Sequence, residues 1–152
     1  MLYTVSTKYA MMALTALATQ KARQPMKADM ICGVTGIPEP FLASLSGSLM
    51  QAGILDFDKG QTGGLRLARS PSEISLADVV RAIEGEHYFR DCIFAIDPCD
   101  GTAKCPWHEV WGPTRDRIVE FLEQTTIQDL ADVGKQPLTV SRAAKSRPRR
   151  VR

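Results

Sequence analysis

The spacing of apolar and polar positions divides the chain into short helices, one hairpin and one late helix. Tyr9, Met12, Ala13, Ala16 and Leu17 recur at helical intervals behind Ser6 and Thr7, either of which can cap the helix start. A second short helix is expected over residues 27–34, with Met30 and Ile31 inward. Gly36 then turns the chain. Pro38 opens a third helix, to about residue 52, with Phe41, Leu42, Leu45 and Leu49 on one face, and Gly53 stops it. Two short helices joined by a glycine-containing turn form the helix-turn-helix pattern.

Residues 54–57 and 65–68 then read as two strands around a loop that holds Lys59, Gly60, Gln61, Gly63 and Gly64. The order of elements favours a wing that reaches DNA through Lys59, Gln61 and Arg66, over a merely solvated hairpin tip. Ser75 and Asp78 form a capping pattern before a helix that Gly85 ends. Later, Trp107, Trp111, Thr114, Ile118, Phe121 and Thr125 recur at spacings of four and three. Such a seam suits a partner helix, which a second copy of the chain can supply. Gly112 and Pro113 interrupt it, so the helix is expected either to kink there or to begin at Pro113. Thr126 to Leu130 can start one last turn. The expected fold is mainly α with a small β-hairpin. It comprises a winged helix-turn-helix over residues 1–85, a cysteine-rich loop over 86–109, a long C-terminal dimerisation helix over 110–132 and a basic disordered tail over 133–152.

Charge sharpens this division. Residues 1–70 hold seven Lys/Arg against four Asp/Glu, residues 71–134 hold five against thirteen, and residues 135–152 hold seven against none. A basic front and tail around an acidic middle suit a protein of which one part faces a polyanion. The tail either touches phosphates without sequence preference or only solubilises the chain. No stretch is long and apolar enough to span a membrane. The apolar run at 9–18 reads as a buried first helix rather than a signal peptide, and the chain is expected in the cytoplasm. No nucleophile–base pair, paired carboxylates or cofactor fingerprint appears, so no enzyme is expected.

The candidate chemistry lies between Cys92 and His108. Cys92, Cys99 and Cys105 are three of the chain's four cysteines, and His108 follows closely. Pro98, Gly101 and Pro106 keep the segment a loop that can curl around a small object. Three soft thiolates and an imidazole suit an iron–sulfur cluster or zinc, and the wide spacing favours the cluster. Metal-free thiol–disulfide sensing is a third reading. Cys32, on the apolar side of the second helix, reads as a small buried hydrophobe. His87 reads as a surface histidine without a partner.

Taken in order, these segments resemble the Rrf2-type family of bacterial transcriptional regulators over about residues 3–132. The resemblance rests on Ser6, Thr7, Lys8, Tyr9 and Ala10, on Gly36 and Ile37 with Phe41 and Leu42, and on the run at 49–55. It continues through Lys59, Gly60, Gly63 and Gly64, the runs at 67–69, 73–79 and 81–85, the cysteine trio with Pro106, Trp107 and His108, Trp111, and the run at 126–130. The resemblance implies a homodimer on double-stranded DNA with a palindromic operator. It also implies a 2Fe–2S or 4Fe–4S cluster held by Cys92, Cys99 and Cys105, which senses iron, redox state or nitric oxide. His108 stands where one branch has a histidine ligand, whereas Lys8 stands where another has an aspartate. The chain departs from the family at residues 38–53, which hold no Lys or Arg where members usually carry basic residues. Ser44, Ser48 and Gln51 remain as candidate DNA contacts there.

Overall fold

Helix α1 (Val5–Ala18) is the post around which the other elements pack. Its eight consecutive residues from Ala10 to Leu17 are all buried. A helix that is apolar all round belongs inside a fold, which is why this run also resembles the core of a leader sequence. Thr15 is buried there because its hydroxyl donates to the Met11 carbonyl at 2.7 Å. Helices α2 (Ala28–Thr35), α3 (Glu39–Gln51), α4 (Leu76–Glu84) and α6 (Ile127–Val133) all pack on α1. The computed structural model describes residues 4–20, 24–60, 63–90, 92 and 105–133 of the 152-residue chain. The basic tail, Cys99 and Gln61 lie outside the described residues.

Three expectations from the sequence are corrected. The cap of α1 is Thr4, whose hydroxyl accepts from the Thr7 N–H, not Ser6 or Thr7. In α2, Ile31 and Thr35 take the inner line one turn apart, so Met30 falls outside and is 53% exposed. In α3, Leu42, Leu45, Ser46 and Leu49 fill the inner stripe, and Phe41 sits at its edge, 46% exposed. There it meets the Tyr9 ring edge-on, with centroids 5.6 Å apart.

Gly36 closes α2 at φ 75°, a left-handed turn that glycine takes at little steric cost, and its N–H donates to the Cys32 carbonyl. The hairpin pairs β1 (Leu55–Asp58) with β2 (Gly64–Leu67), antiparallel, with Leu55 opposite Leu67 and Phe57 opposite Leu65. The Met26 backbone exchanges two hydrogen bonds with Leu65 and so anchors the hairpin to the helices. Gly64 is required at this junction. A Cβ there would come within 2.5 Å of the Met26 carbonyl oxygen.

The expected capping pattern at α4 is present. The Ser75 hydroxyl accepts from the Asp78 N–H, and Asp78 accepts from the Ser75 N–H. Helix α5 (His108–Gln124) begins at His108 and runs through Pro113 without stopping. Its far end returns to the body. The Leu76 N–H donates to the Thr125 carbonyl and the Ile127 N–H to that of Ile74. Thr126 and Asp129 then cap α6 reciprocally.

Candidate functional site

Helices α2 and α3 pack on each other, and α3 also packs on β1 of the hairpin. The outward line of α3 carries Pro40, Ala43, Ser44, Gly47, Met50 and Gln51, all exposed. Ser48 is half-buried and faces a cleft of about 280 Å³, lined by Thr4, Ser6, Ser44, Leu45, Ile83 and Glu84 as well. The hairpin brings Lys59 and Arg66 to the surface, where both are exposed. Arg66 crosses the strand pair to Asp56 at 2.5 Å, with both side chains 48% exposed. An exposed pair of this kind holds its geometry weakly, so the guanidinium can exchange the carboxylate for a phosphate.

Glu84, at the end of α4, was not singled out by the sequence. It accepts hydrogen bonds from the Thr4 N–H, the Thr4 hydroxyl and the buried Thr7 hydroxyl. Burial alone would raise its pKa, but these donors outweigh burial and hold the carboxyl below its ordinary range. The carboxylate also lies beside the α1 amino end, where the helix dipole favours negative charge. It thereby ties the start of α1 to the end of α4 across 77 residues of sequence, a separation no local pattern reveals.

A short 3₁₀ turn at Glu86–Phe89 follows α4, and Arg81 secures it. It pairs with Glu123 of α5 at 2.9 Å and with Glu86 at 3.4 Å, and it lies 4.9 Å from the Phe89 ring centre. Cys92 and Cys105 are both half-buried. Cys105 lies in the turn that leads into α5, where the His108 N–H donates to the Cys105 carbonyl at 3.2 Å. The His108 ring lies against Gly112, where a Cβ would be 3.5 Å from Nε2. Trp111 of the same helix carries a buried indole N–H with no hydrogen-bond acceptor among the described residues. Such an orphaned donor is uncommon and is explained where a bound group accepts from it. Among the described residues, no three His, Cys, Asp or Glu side chains converge as a metal site; Cys99 of the expected set is not among them.

Cys32 behaves as expected of a structural thiol. It is half-buried against the core, and burial, followed by Glu39 and Asp29, raises its pKa. A thiol so placed is a poor nucleophile and a poor metal ligand. His87 is exposed.

Helices α1 to α4, with the hairpin between α3 and α4, define a winged helix-turn-helix, the architecture of DNA-binding transcriptional regulators. The chain belongs to the Rrf2 family, described as iron-dependent transcriptional regulators, whose sequence profile matches residues 3–133. A putative HTH-type transcriptional regulator from Aquifex aeolicus is 30% identical over 140 residues, covering 91% of this chain and 96% of the relative. The solved structure of T. potens IscR superposes with TM-score 0.71 at 26% identity, covering 87% of this chain and 88% of that one. CymR, the global cysteine regulator of B. subtilis, superposes with TM-score 0.74 at 24% identity, covering 87% and 97%. The protein is a DNA-binding transcriptional regulator and not an enzyme.

Proposed function

We propose that this regulator is a homodimer whose operator affinity is switched by an iron–sulfur cluster. The ligands are Cys92, Cys99 and Cys105, with His108 as the fourth. The observation that carries this reading is the start of α5. A half-buried thiol, an imidazole and an orphaned indole N–H lie within two helical turns there, where the chain rejoins the body. This soft donor set fits a cluster, and the indole N–H fits an acceptor that the described residues do not supply. When bound, the cluster supplies a centre whose charge or presence changes with iron, redox state or nitric oxide. The chain's own residues do the rest. The thiolates and the imidazole draw the segment after Cys92 to the first turn of α5. Arg81 links that helix to α4 through Glu123, so a change at the site is felt by the body.

Helix α5 supports the dimer. It is 17 residues and about 26 Å long, yet only Gly112 and Leu122 are buried. Val110 is 70% exposed and Phe121 60% exposed, with Trp111 and Ile118 half-buried on the same seam. A second copy covers such a seam. The two recognition helices of the dimer then sit about one helical turn of DNA apart, roughly 34 Å, and the operator is an imperfect palindrome. Lys59, Gln61 and Arg66 of the wing and Ser44, Ser48 and Gln51 of α3 contact the duplex.

Anaerobic purification with an absorption spectrum and with iron and sulfide analysis tests this. A brown or red protein is expected. Cys92→Ala, Cys99→Ala and Cys105→Ala should each lose the colour, and Cys32→Ala should keep it. His108→Cys should keep a cluster of lower reduction potential, since nitrogen ligation raises it. A colourless protein with stoichiometric zinc would favour a structural metal instead. A loss of two hydrogens in intact mass on oxidation of metal-free protein would favour thiol–disulfide sensing, on a fold shared with CymR.

A further inference from the structure

We infer that the recognition helix reads thymine methyl groups rather than guanine edges. The inference rests on the DNA-regulator reading and concerns which bases that regulator selects. In a helix-turn-helix, the amino-terminal part of the second helix meets the base edges. Here that part presents Glu39, Pro40, Ala43 and Ser44, all exposed. Guanine is recognised chiefly by Arg or Lys, which donate to its O6 and N7, and adenine by the amide of Asn or Gln. None of these side chains stands in the first two turns of α3. Pro40 and Ala43 can neither donate nor accept through their side chains, and their chemistry matches the C5-methyl of thymine. Ser44 is the one neutral hydroxyl among them. Glu39 only accepts, so it disfavours the acceptor-rich guanine edge. Gln51, at the far end of α3, is the sole exposed amide on the helix.

Gly47 supports a close approach. It lies in the middle of the outward line, where a glycine costs a helix about 1 kcal/mol relative to alanine. The fold does not require it, because a Cβ at this position would meet nothing within 4 Å. Its backbone has an ordinary helical conformation, since its φ is not among the positive values. A glycine that its own chain does not require fits a helix pressed against another surface. The helix thus settles deep in the major groove on apolar contact, while the wing supplies phosphate contacts.

The test starts from duplexes that full-length, anaerobically purified protein selects from randomised DNA. Each thymine of the selected half-site is then replaced by uracil, which removes the methyl and leaves base pairing unchanged. At one or two positions per half-site the affinity should fall about fourfold, as expected for one CH₂-sized group left out of contact. Ala43→Gly should abolish the thymine-over-uracil preference at one of those positions, with circular dichroism confirming the fold. Gly47→Ala should raise the thermal midpoint and yet weaken binding, whereas a purely structural role would move both the same way. Equal affinity for thymine and uracil duplexes at every position would overturn the inference, as would selection of half-sites read through guanine. Failure to retain any duplex at low salt would instead overturn the DNA-regulator reading, and this inference with it.

Discussion

The body and helix α5 use apolar residues in opposite ways. In α1, eight successive residues disappear into the core, and every neighbouring helix covers part of them. In α5, seventeen residues bury two, and large apolar groups such as Val110 and Phe121 face outward. The body therefore covers its central helix with its own elements. Helix α5 is anchored at its end, through Arg81 to Glu123 and through the backbone bonds at Thr125 and Ile127, but its seam leaves Val110 and Phe121 exposed. The cysteine site lies where these two regimes meet. On the proposed reading, the self-packed body holds the DNA-reading surface, and its junction with α5 holds the sensor. A change at the junction can then move one relative to the other without unfolding either.

The largest effect should come from the core of the body. Leu14→Ala removes a fully buried side chain of α1 and should cost about 2–5 kcal/mol of unfolding free energy, read from denaturant titration. A loss below about 1 kcal/mol would show that α1 is not the post of the fold. Next comes the Glu84 tie. Glu84→Gln weakens acceptance from three donors, one of them on buried Thr7, and should cost about 1–3 kcal/mol. The pH dependence has a definite sign. Because the folded carboxyl has a lowered pKa, its contribution is present above the unfolded pKa and is lost as pH falls through the folded one. Wild type should therefore lose stability relative to Glu84→Gln only on acidification below the ordinary carboxylate range. A constant gap between the two down to the most acid pH would contradict the tie.

Phe121→Asp should sharpen the comparison from the other side. It should raise the dimer dissociation constant tenfold or more, about 1.4 kcal/mol, while circular dichroism stays that of a folded chain. An unchanged dimer would assign the seam to something other than a second copy. The smallest effect belongs to the wing. Arg66→Ala breaks an exposed pair and should change stability by less than about 1 kcal/mol. It should nevertheless reduce the salt slope of DNA binding by about one unit if the guanidinium contacts one phosphate. An unchanged slope would leave Arg66 as a strand-pairing residue only.

Much of this organisation is legible in the chain because it is local. The glycine at 36, the capping pair Ser75 and Asp78 and the glycine-containing loop after Lys59 each declare an element within a few residues, and the structure has them there. What the sequence hides is set by distance or by the width of a helix face. Met30 and Ile31 are equally apolar neighbours, and only the surrounding helices decide that Ile31 is inside and Met30 outside. The Glu84 link to Thr4 and Thr7 joins the two ends of the winged body, and no spacing rule reaches that far. In the sequence Pro113 marks a possible helix start, but it stands within the second turn of α5, where the loss of one backbone donor is tolerated. The cysteine trio is plain in the sequence as a soft donor set, and the start of α5 adds the orphaned Trp111 N–H that composition could not show.

The most direct measurement compares operator affinity with and without the cluster. Genomic fragments are titrated with anaerobically reconstituted protein and with cluster-free protein at two salt concentrations. The account predicts a difference of about tenfold or more on at least one fragment, a coupling of ~1.4 kcal/mol between site and DNA. Wild type and Arg66→Ala should show that same ratio, because the wing contributes to both states alike. Equal affinity of the two forms on every bound fragment would contradict the switch.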